Sequence, residues 1–438
     1  MVVVGLISAV ALALYGFLHG GYGRDTHSEW LKLSDELKKN GEPLYLADVK
    51  PAEIPNEQNF FAADVFSGLD ADAPRDRLLQ LAANPGNGLD VTVLLASATK
   101  GNGASLDAIA AALQQAGLVR RQTDFLLAGD RVRAGIRALG LDFTPLAAAA
   151  DRPAARFPID YARPFPRLPH LRYLEALGDW LAIHAVAQLS TGDADAASID
   201  LLLIGRMADS LASEPFLPSQ RTRRLLLGLF AGCVRVGILW DAWSDEQLAR
   251  FGATLEKARL VTDLGWAVRG ERAQLNSAIN LALNGERPSA SDELQGWLGT
   301  DLVSLDKREL RARQVAANRA MQDFLDGLSL SEGIQLPKTE VLPEKALSRF
   351  EALTEDARIS AQLQTYLAQA ELACGLERYR IAKGAYPGKP EELVPDTLAA
   401  LPLDPMTGQP IRYATKDSTG YTLTGAGWAD GQPWVWNR

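Results

Sequence analysis

From about residue 61 to residue 345, apolar side chains recur at intervals of three and four, and several of these runs stop at glycine. That spacing lines one face of a helix and does not fit a strand, so it commits the middle of the chain to amphipathic helices. LDAIAAALQQAG, DRVRAGIRALG, LRYLEALGDWLAIHAVAQLSTG and DADAASIDLLLIGRMADSLA all carry it. Leu171, Leu174, Leu177, Leu181 and His184 to Leu189 belong to one predicted helix; Gly192 ends it, and Asp193 to Ala197 open the next. The expected body is a set of antiparallel helical hairpins. It is not a true solenoid, because no repeat of ~34 residues recurs.

LLLGLFAGCVRVGILW, residues 225–240, could be mistaken for a membrane span. It holds Arg235 and follows Arg221, Arg223 and Arg224, so the expectation is a buried core helix.

The N-terminus differs. Val2 to Leu18 contains no charged residue, and the uncharged run extends to Gly23. As a helix it would span about 33 Å, against a hydrocarbon core of ~30 Å. A cleaved signal peptide competes with an anchor, but the run has no basic leader, no small-x-small site before Arg24 and no following cysteine. Residues 1–23 therefore read as one uncleaved transmembrane anchor. Arg24, Lys32, Lys38 and Lys39 follow it, which by the positive-inside rule favours a cytoplasmic body, although long domains translocate largely regardless of such charge. The expected location is the inner (cytoplasmic) membrane, single-pass, with the body periplasmic. The expected partners are the membrane and other envelope proteins, with a cytoplasmic-facing regulator left open.

Residues 24–60 read as a juxtamembrane helix and a connector. THSEWLKLSDELKKNG puts Trp30, Leu33 and Leu37 at helical spacing with Gly41 as a stop, and Pro43, Pro51 and Pro55 keep the following stretch extended across a surface.

The 438 residues are 47% hydrophobic and 23% charged, which is enough for a sizeable core. A formal net charge of −9 sets nucleic acid aside as a partner, since phosphate binding needs a basic surface. Cys233 and Cys374 lie far apart in apolar helical runs and indicate neither a disulfide framework nor a zinc site. Of His19, His27, His170 and His184, no pair has the spacing of HExxH, and His184 reads as a hydrogen-bonded core residue. There is no GxSxG and no Walker A; Gly101-Asn102-Gly103 lacks the third glycine and the Lys-Ser/Thr pair and reads as a plain turn. Asp70 with Asp72 and Asp193 with Asp195 are paired carboxylates at turns, and helix capping accounts for the second pair. No catalytic residue, metal site or cofactor is expected.

The last ninety or so residues change pattern. Residues 354–384 read as one long helix whose apolar stripe is Ile359, Leu363, Tyr366, Leu367, Ala370 and Cys374, stopped by Gly384 and Pro387. Pro390 to Leu393 reads as one helical turn, and Asp404-Pro405 as the start of a type I turn. PIRYAT, YTLTGAG and PWVWN then read as an antiparallel meander of three strands packed on the helix.

Tyr379, Gly384, Tyr386, Pro387, Leu393, Leu401, Pro402, Asp404, Pro405, Gly408, Pro410 and Tyr413 carry a family resemblance. The stretch resembles the globular head of the major pseudopilins of type II secretion, where a long helix ends at Gly-x-Tyr-Pro and leads through a short helix and a Leu-Pro-x-Asp-Pro turn to a small sheet. It departs from that family in three respects. The N-terminus lacks a prepilin-peptidase site, the anchor does not run directly into the head, and only Asp417 and Asp430 could serve the family's calcium loop, too few for a six- to eight-oxygen shell. The full layout resembles large uncharacterised membrane-anchored proteins of planctomycete and verrucomicrobial bacteria, a resemblance that implies no activity.

The expected fold is thus mainly α: an anchor at 1–23, a juxtamembrane helix and connector at 24–60, a helical-hairpin body at 61–345, and an α+β head at 346–438. Among the tail aromatics Tyr413, Tyr421, Trp428, Trp434 and Trp436, alternation puts Trp434 and Trp436 on one strand face. Exposed, this face, with Trp428 beside it, could stack on sugars or receive a partner segment; packed, it would cover the helix at Tyr366, Leu367 and Cys374. The expected function is a non-enzymatic envelope scaffold or interaction protein, possible in secretion or envelope assembly. The alternative is a glycan-binding protein or hydrolase with its site between helices or on these aromatics.

Overall fold

The computed structural model describes residues 25–69, 104–115, 127–286, 297–298, 305–328, 334, 344–416, 420–427 and 432–438. The expected anchor at 1–23, the Asp70/Asp72 pair, the Gly101–Gly103 turn, Asp417, Trp428 and Asp430 lie outside the described residues. Among the described residues no helix is long and apolar enough to cross a membrane.

Helix α1 (Thr26–Lys39) starts where the Asp25 carboxylate accepts from the Ser28 N–H at 3.2 Å. It buries Trp30, Leu33 and Leu37 against Leu44 and Val315, so it is part of the folded body. The connector was expected to cross a surface in extended form, but it is coiled and seated. It forms α2 (Leu46–Val49) and three short 3-10 turns between Asn56 and Phe66. Leu44, Leu46, Val49 and Phe60 are almost wholly buried, and their burial outweighs the extended preference set by the prolines. Polar bonds fasten it as well: Glu42 accepts from Arg269 and Arg272, and Asn276 donates to the Leu44 carbonyl at 3.1 Å.

The body continues as α3 (Ala104–Gln115), α4 (Ala128–Ala138), α5 (Thr144–Ala150), α6 (Pro169–Ser190), α7 (Ala194–Ser210), α8 (Leu217–Leu239), α9 (Asp245–Glu256), α10 (Leu260–Leu283) and α11 (Lys307–Asp326). The α6–α7 hairpin follows its sequence signals. Gly192 turns with φ +81°, a conformation a Cβ would disfavour, and the Asp193 side chain caps α7 by accepting from Ala196 N. Residues 225–240 lie mostly inside α8, with Leu226, Leu227, Phe230, Cys233, Val234 and Val236 fully buried, as expected for a core helix.

Helix α12 (Glu344–Lys383) runs through the middle of the molecule against α8, α9 and α10. It begins ten residues before the expected start, because Phe350 and Leu353 continue the buried stripe of Ala357 and Ala361 about one turn further back. It ends as expected at Gly384, which takes φ +78° as its N–H donates to the Arg380 carbonyl at 2.8 Å. A 3-10 turn at Pro390–Leu393 and the Asp404 turn lead to the sheet of β1 (Arg412–Lys416), β2 (Gly420–Gly425) and β3 (Trp434–Asn437). Its order is β1-β2-β3, antiparallel throughout, with Tyr413 opposite Leu423 and Leu423 opposite Trp436.

One buried cluster joins Leu181, Leu226, Phe230 and Val234 of the helical body to Leu367, Cys374 and Leu376 of α12 and to Leu393, Tyr421, Leu423 and Trp436. Residues on both sides of position 346 therefore share a core.

Candidate functional site

The expected apolar stripe of α12 divides in two. Leu367, Ala370 and Cys374 are buried, but Ile359 is 38% exposed, and Leu363 and Tyr366 are only half covered. Ile359 does not face the core because the buried face over this stretch is Ala357, Ala361 and Thr365, on nearly the opposite side of the helix.

The uncovered residues line a groove of about 630 Å³ between α8, α12 and the start of β3. Helix α8 contributes Arg221, Arg224, Leu225 and Arg235; α12 adds Gln362 and Gln369; the strand adds Pro433, Trp434 and Val435. Leu225 and Val435 on the rim are 41% and 49% exposed. Gln369 pins the strand to the helix by donating to the Trp434 carbonyl at 2.8 Å.

The groove carries positive charge in a chain that is acidic overall. Asp356 accepts from Arg221 Nη2 at 2.7 Å and from Arg224 Nη2 at 2.6 Å. Burial pushes the Asp356 carboxyl upward, but these two guanidinium groups outweigh it and hold the pKa below the ordinary value. Arg224 is fixed further by the Asp356 carbonyl and the Ser360 hydroxyl, both at 2.9 Å. Arg235 lies 4.7 Å over the Trp436 ring and beside Tyr366, with its Nε buried and without a hydrogen bond. Two of the three guanidinium groups of the groove thus share one carboxylate, and Arg235 has no ion-pair partner among the described residues.

The aromatic expectation divides as well. Trp436 is wholly buried against Tyr366, with centroids 5.2 Å apart, and offers no face to a sugar or a partner; this corrects its assignment as a contact residue. Of the two candidate contact residues described, only the half-buried Trp434 reaches the groove.

The residues that carry the pseudopilin resemblance brace the head and do not line the groove. Tyr386 donates to Glu377 at 2.8 Å, Tyr379 to Glu392 at 3.0 Å, and Tyr413 to the Pro387 carbonyl at 2.8 Å. Burial, then the Glu377 charge, pushes the Tyr386 hydroxyl up to about 12. Asp404 clips the turn to the sheet, accepting from Met406 N and Ala426 N, both at 2.7 Å. Gly408 turns at φ +65°, Leu403 and Pro410 form a bridge, and Leu393, Pro402 and Pro405 are buried while Leu401 packs from the side. Each of these contacts is internal.

The polar clusters elsewhere have geometries that do not form a catalytic relay. His170 Nε2 is 2.9 Å from Glu214, and the Ser219 hydroxyl donates to the same carboxylate, so the acid and not the histidine sits in the middle. A serine nucleophile needs the histidine between serine and acid. His184 Nδ1 is 2.8 Å from Asp200, across the α6–α7 hairpin. Both cysteines are buried and free, and burial raises both thiols well above their ordinary pKa, which makes them inert. Among the described residues no group of three or more His, Cys, Asp or Glu could hold a metal ion.

Comparison with known proteins returns no matching family model, no matching curated protein and no matching solved structure. Sequence reading assigned none of Arg221, Arg224, Arg235, Asp356 and Glu377 to a site; the three arginines served there only as charges against a membrane span. The usable signal was Arg235 itself, a single cation inside an otherwise apolar helix.

Proposed function

We propose that this chain works through protein contact and not catalysis: an envelope scaffold, held at the inner membrane by residues 1–23 with its body in the periplasm, whose working surface is the groove beside a pseudopilin-like head. The observation that carries this reading is the convergence of exposed Leu225, Ile359 and Val435 on a groove that also holds Arg235, which has no carboxylate partner among the described residues. Scattered single exposed apolar residues are ordinary, whereas a contiguous patch rimmed by polar groups marks a contact surface. The pseudopilin resemblance supports a role in secretion or envelope assembly.

The test is affinity purification of the full chain from its native membrane, in wild-type form and as the Leu225→Asp/Ile359→Asp double variant. Co-purifying proteins should be lost from the double variant while its circular dichroism and melting stay unchanged. An identical partner set from both forms contradicts the reading.

The glycan-binding alternative keeps one supporting feature, the half-buried Trp434 beside arginine and glutamine side chains.

A further inference from the structure

We infer that the groove receives a short acidic peptide segment bearing aliphatic side chains, with its carboxylate held at Arg235. The inference rests on the reading of this groove as a contact surface and adds the chemistry of its occupant.

Charge sets the first requirement. Arg221 and Arg224 share Asp356, and Arg235 has no ion-pair partner among the described residues. Its guanidinium lies over the Trp436 ring, which holds the fork in place before any ligand arrives and lowers the ordering cost of binding. An incoming carboxylate would add a charge-assisted pair to a groove-lining guanidinium that has none among the described residues. A basic ligand would meet repulsion here, and a neutral one would leave Arg235 uncompensated.

The lining sets the second requirement. Leu225, Ile359, Leu363 and Val435 are aliphatic, and burying them gains free energy only under apolar side chains. A polyhydroxylated acidic sugar would satisfy the arginines but would spread hydroxyls over these four residues, with only the half-buried Trp434 to stack on. A peptide supplies both chemistries.

Length sets the third. The α12 wall from Ile359 to Gln369 is about 15 Å long at 1.5 Å per residue, which an extended segment of about four or five residues spans. An occupant of that size buries little area, so the expected affinity is micromolar and the contact transient.

The probe is a random-peptide phage library panned against the full chain in nanodiscs, followed by synthesis of the enriched peptides. Enriched sequences should combine Asp or Glu with Leu, Ile or Val. Their binding should weaken at least about tenfold in Arg235→Gln, the effect of losing one charge-assisted bond. Because Arg235→Gln also removes packing on Trp436, a rim pair provides the second arm: Leu225→Glu should weaken the same peptides, Leu225→Lys should weaken them less, and rising salt should narrow the difference. Enrichment of neutral or basic peptides, no enrichment, or equal effects of the two Leu225 variants would overturn the inference. So would binding of polygalacturonate at Arg235 in place of peptides. If partners purified from the membrane still depend on Leu225 and Ile359 while the library returns no acidic consensus, the contact surface stands and only its acidic occupant is wrong.

Discussion

The two ends of β3 meet the helical body in opposite ways. At its far end Arg438 donates to Glu377 at 3.1 Å and to the Leu239 carbonyl at 3.4 Å, and pairs with Asp241. Glu377 is 2% exposed and also accepts from Tyr386, Tyr421 and Arg380, so each polar group there has a partner. At the near end Pro433, Trp434 and Val435 leave a groove in which Arg235 Nε is buried without a bond from any described residue and aliphatic side chains face water. Both ends are built from the same three elements, α8, α12 and β3. The difference shows that the fold can close this seam with a complete polar network, and that where the seam stays open the geometry is suited to something outside the chain.

If the closed end is structural, substitutions there cost stability. Glu377→Ala leaves Arg438 and Arg380 without their buried carboxylate and should destabilise the chain by about 3–5 kcal/mol in chemical denaturation. A loss below about 1 kcal/mol would place this network among surface ion pairs and erase the contrast with the groove.

Half-buried Glu371, on the same helix between the two ends, gives the next largest effect. Burial, then the Glu256 carboxylate, pushes its pKa up from 4.5 to about 7, against a smaller opposing pull from Arg259. A folded pKa above the unfolded one means that the stability it contributes is fully present below about pH 4.5 and is lost as pH rises through about 7. Glu371→Gln should therefore be more stable than wild type at pH 8, on the order of 2 kcal/mol, and no more stable at pH 4. Melting curves at the two pH values measure this; a gain independent of pH would rule out titration as the cause.

Tyr386→Phe removes one of the hydrogen bonds to Glu377 while keeping the ring, and should cost about 1 kcal/mol. The smallest expected change is at the open end. Leu225→Glu should alter stability by no more than about 0.5 kcal/mol, since the side chain is already exposed, yet it should weaken partner capture. A variant that melts early would show that the groove belongs to the core.

Much of the fold was legible because it rests on local signals. The period of three and four marked the helices; Gly192, Asp193 and Gly384 marked their ends; and alternating runs between turns marked all three strands. The connector was misread because Pro43, Pro51 and Pro55 describe the local chain and not the tertiary pocket that takes Leu44, Leu46 and Phe60. The groove was not legible for a related reason. Ile359, Leu363 and Tyr366 obey the same spacing as buried residues, and only the packing of β3 and α8 decides that they stay uncovered. Arg235 was seen as an argument against a membrane span, but its seat over Trp436 joins positions two hundred residues apart, which periodicity cannot detect.

The most direct test of the open end is site-specific photo-crosslinking in intact cells, with a benzophenone amino acid at Val435 and, as a control, at Ile199. Ile199 is 55% exposed on α7, away from the groove, against 49% for Val435, so exposure alone does not separate them. The account predicts discrete crosslinked protein species from Val435 and none of these from Ile199. The same pattern from both positions, or none from Val435, would contradict it.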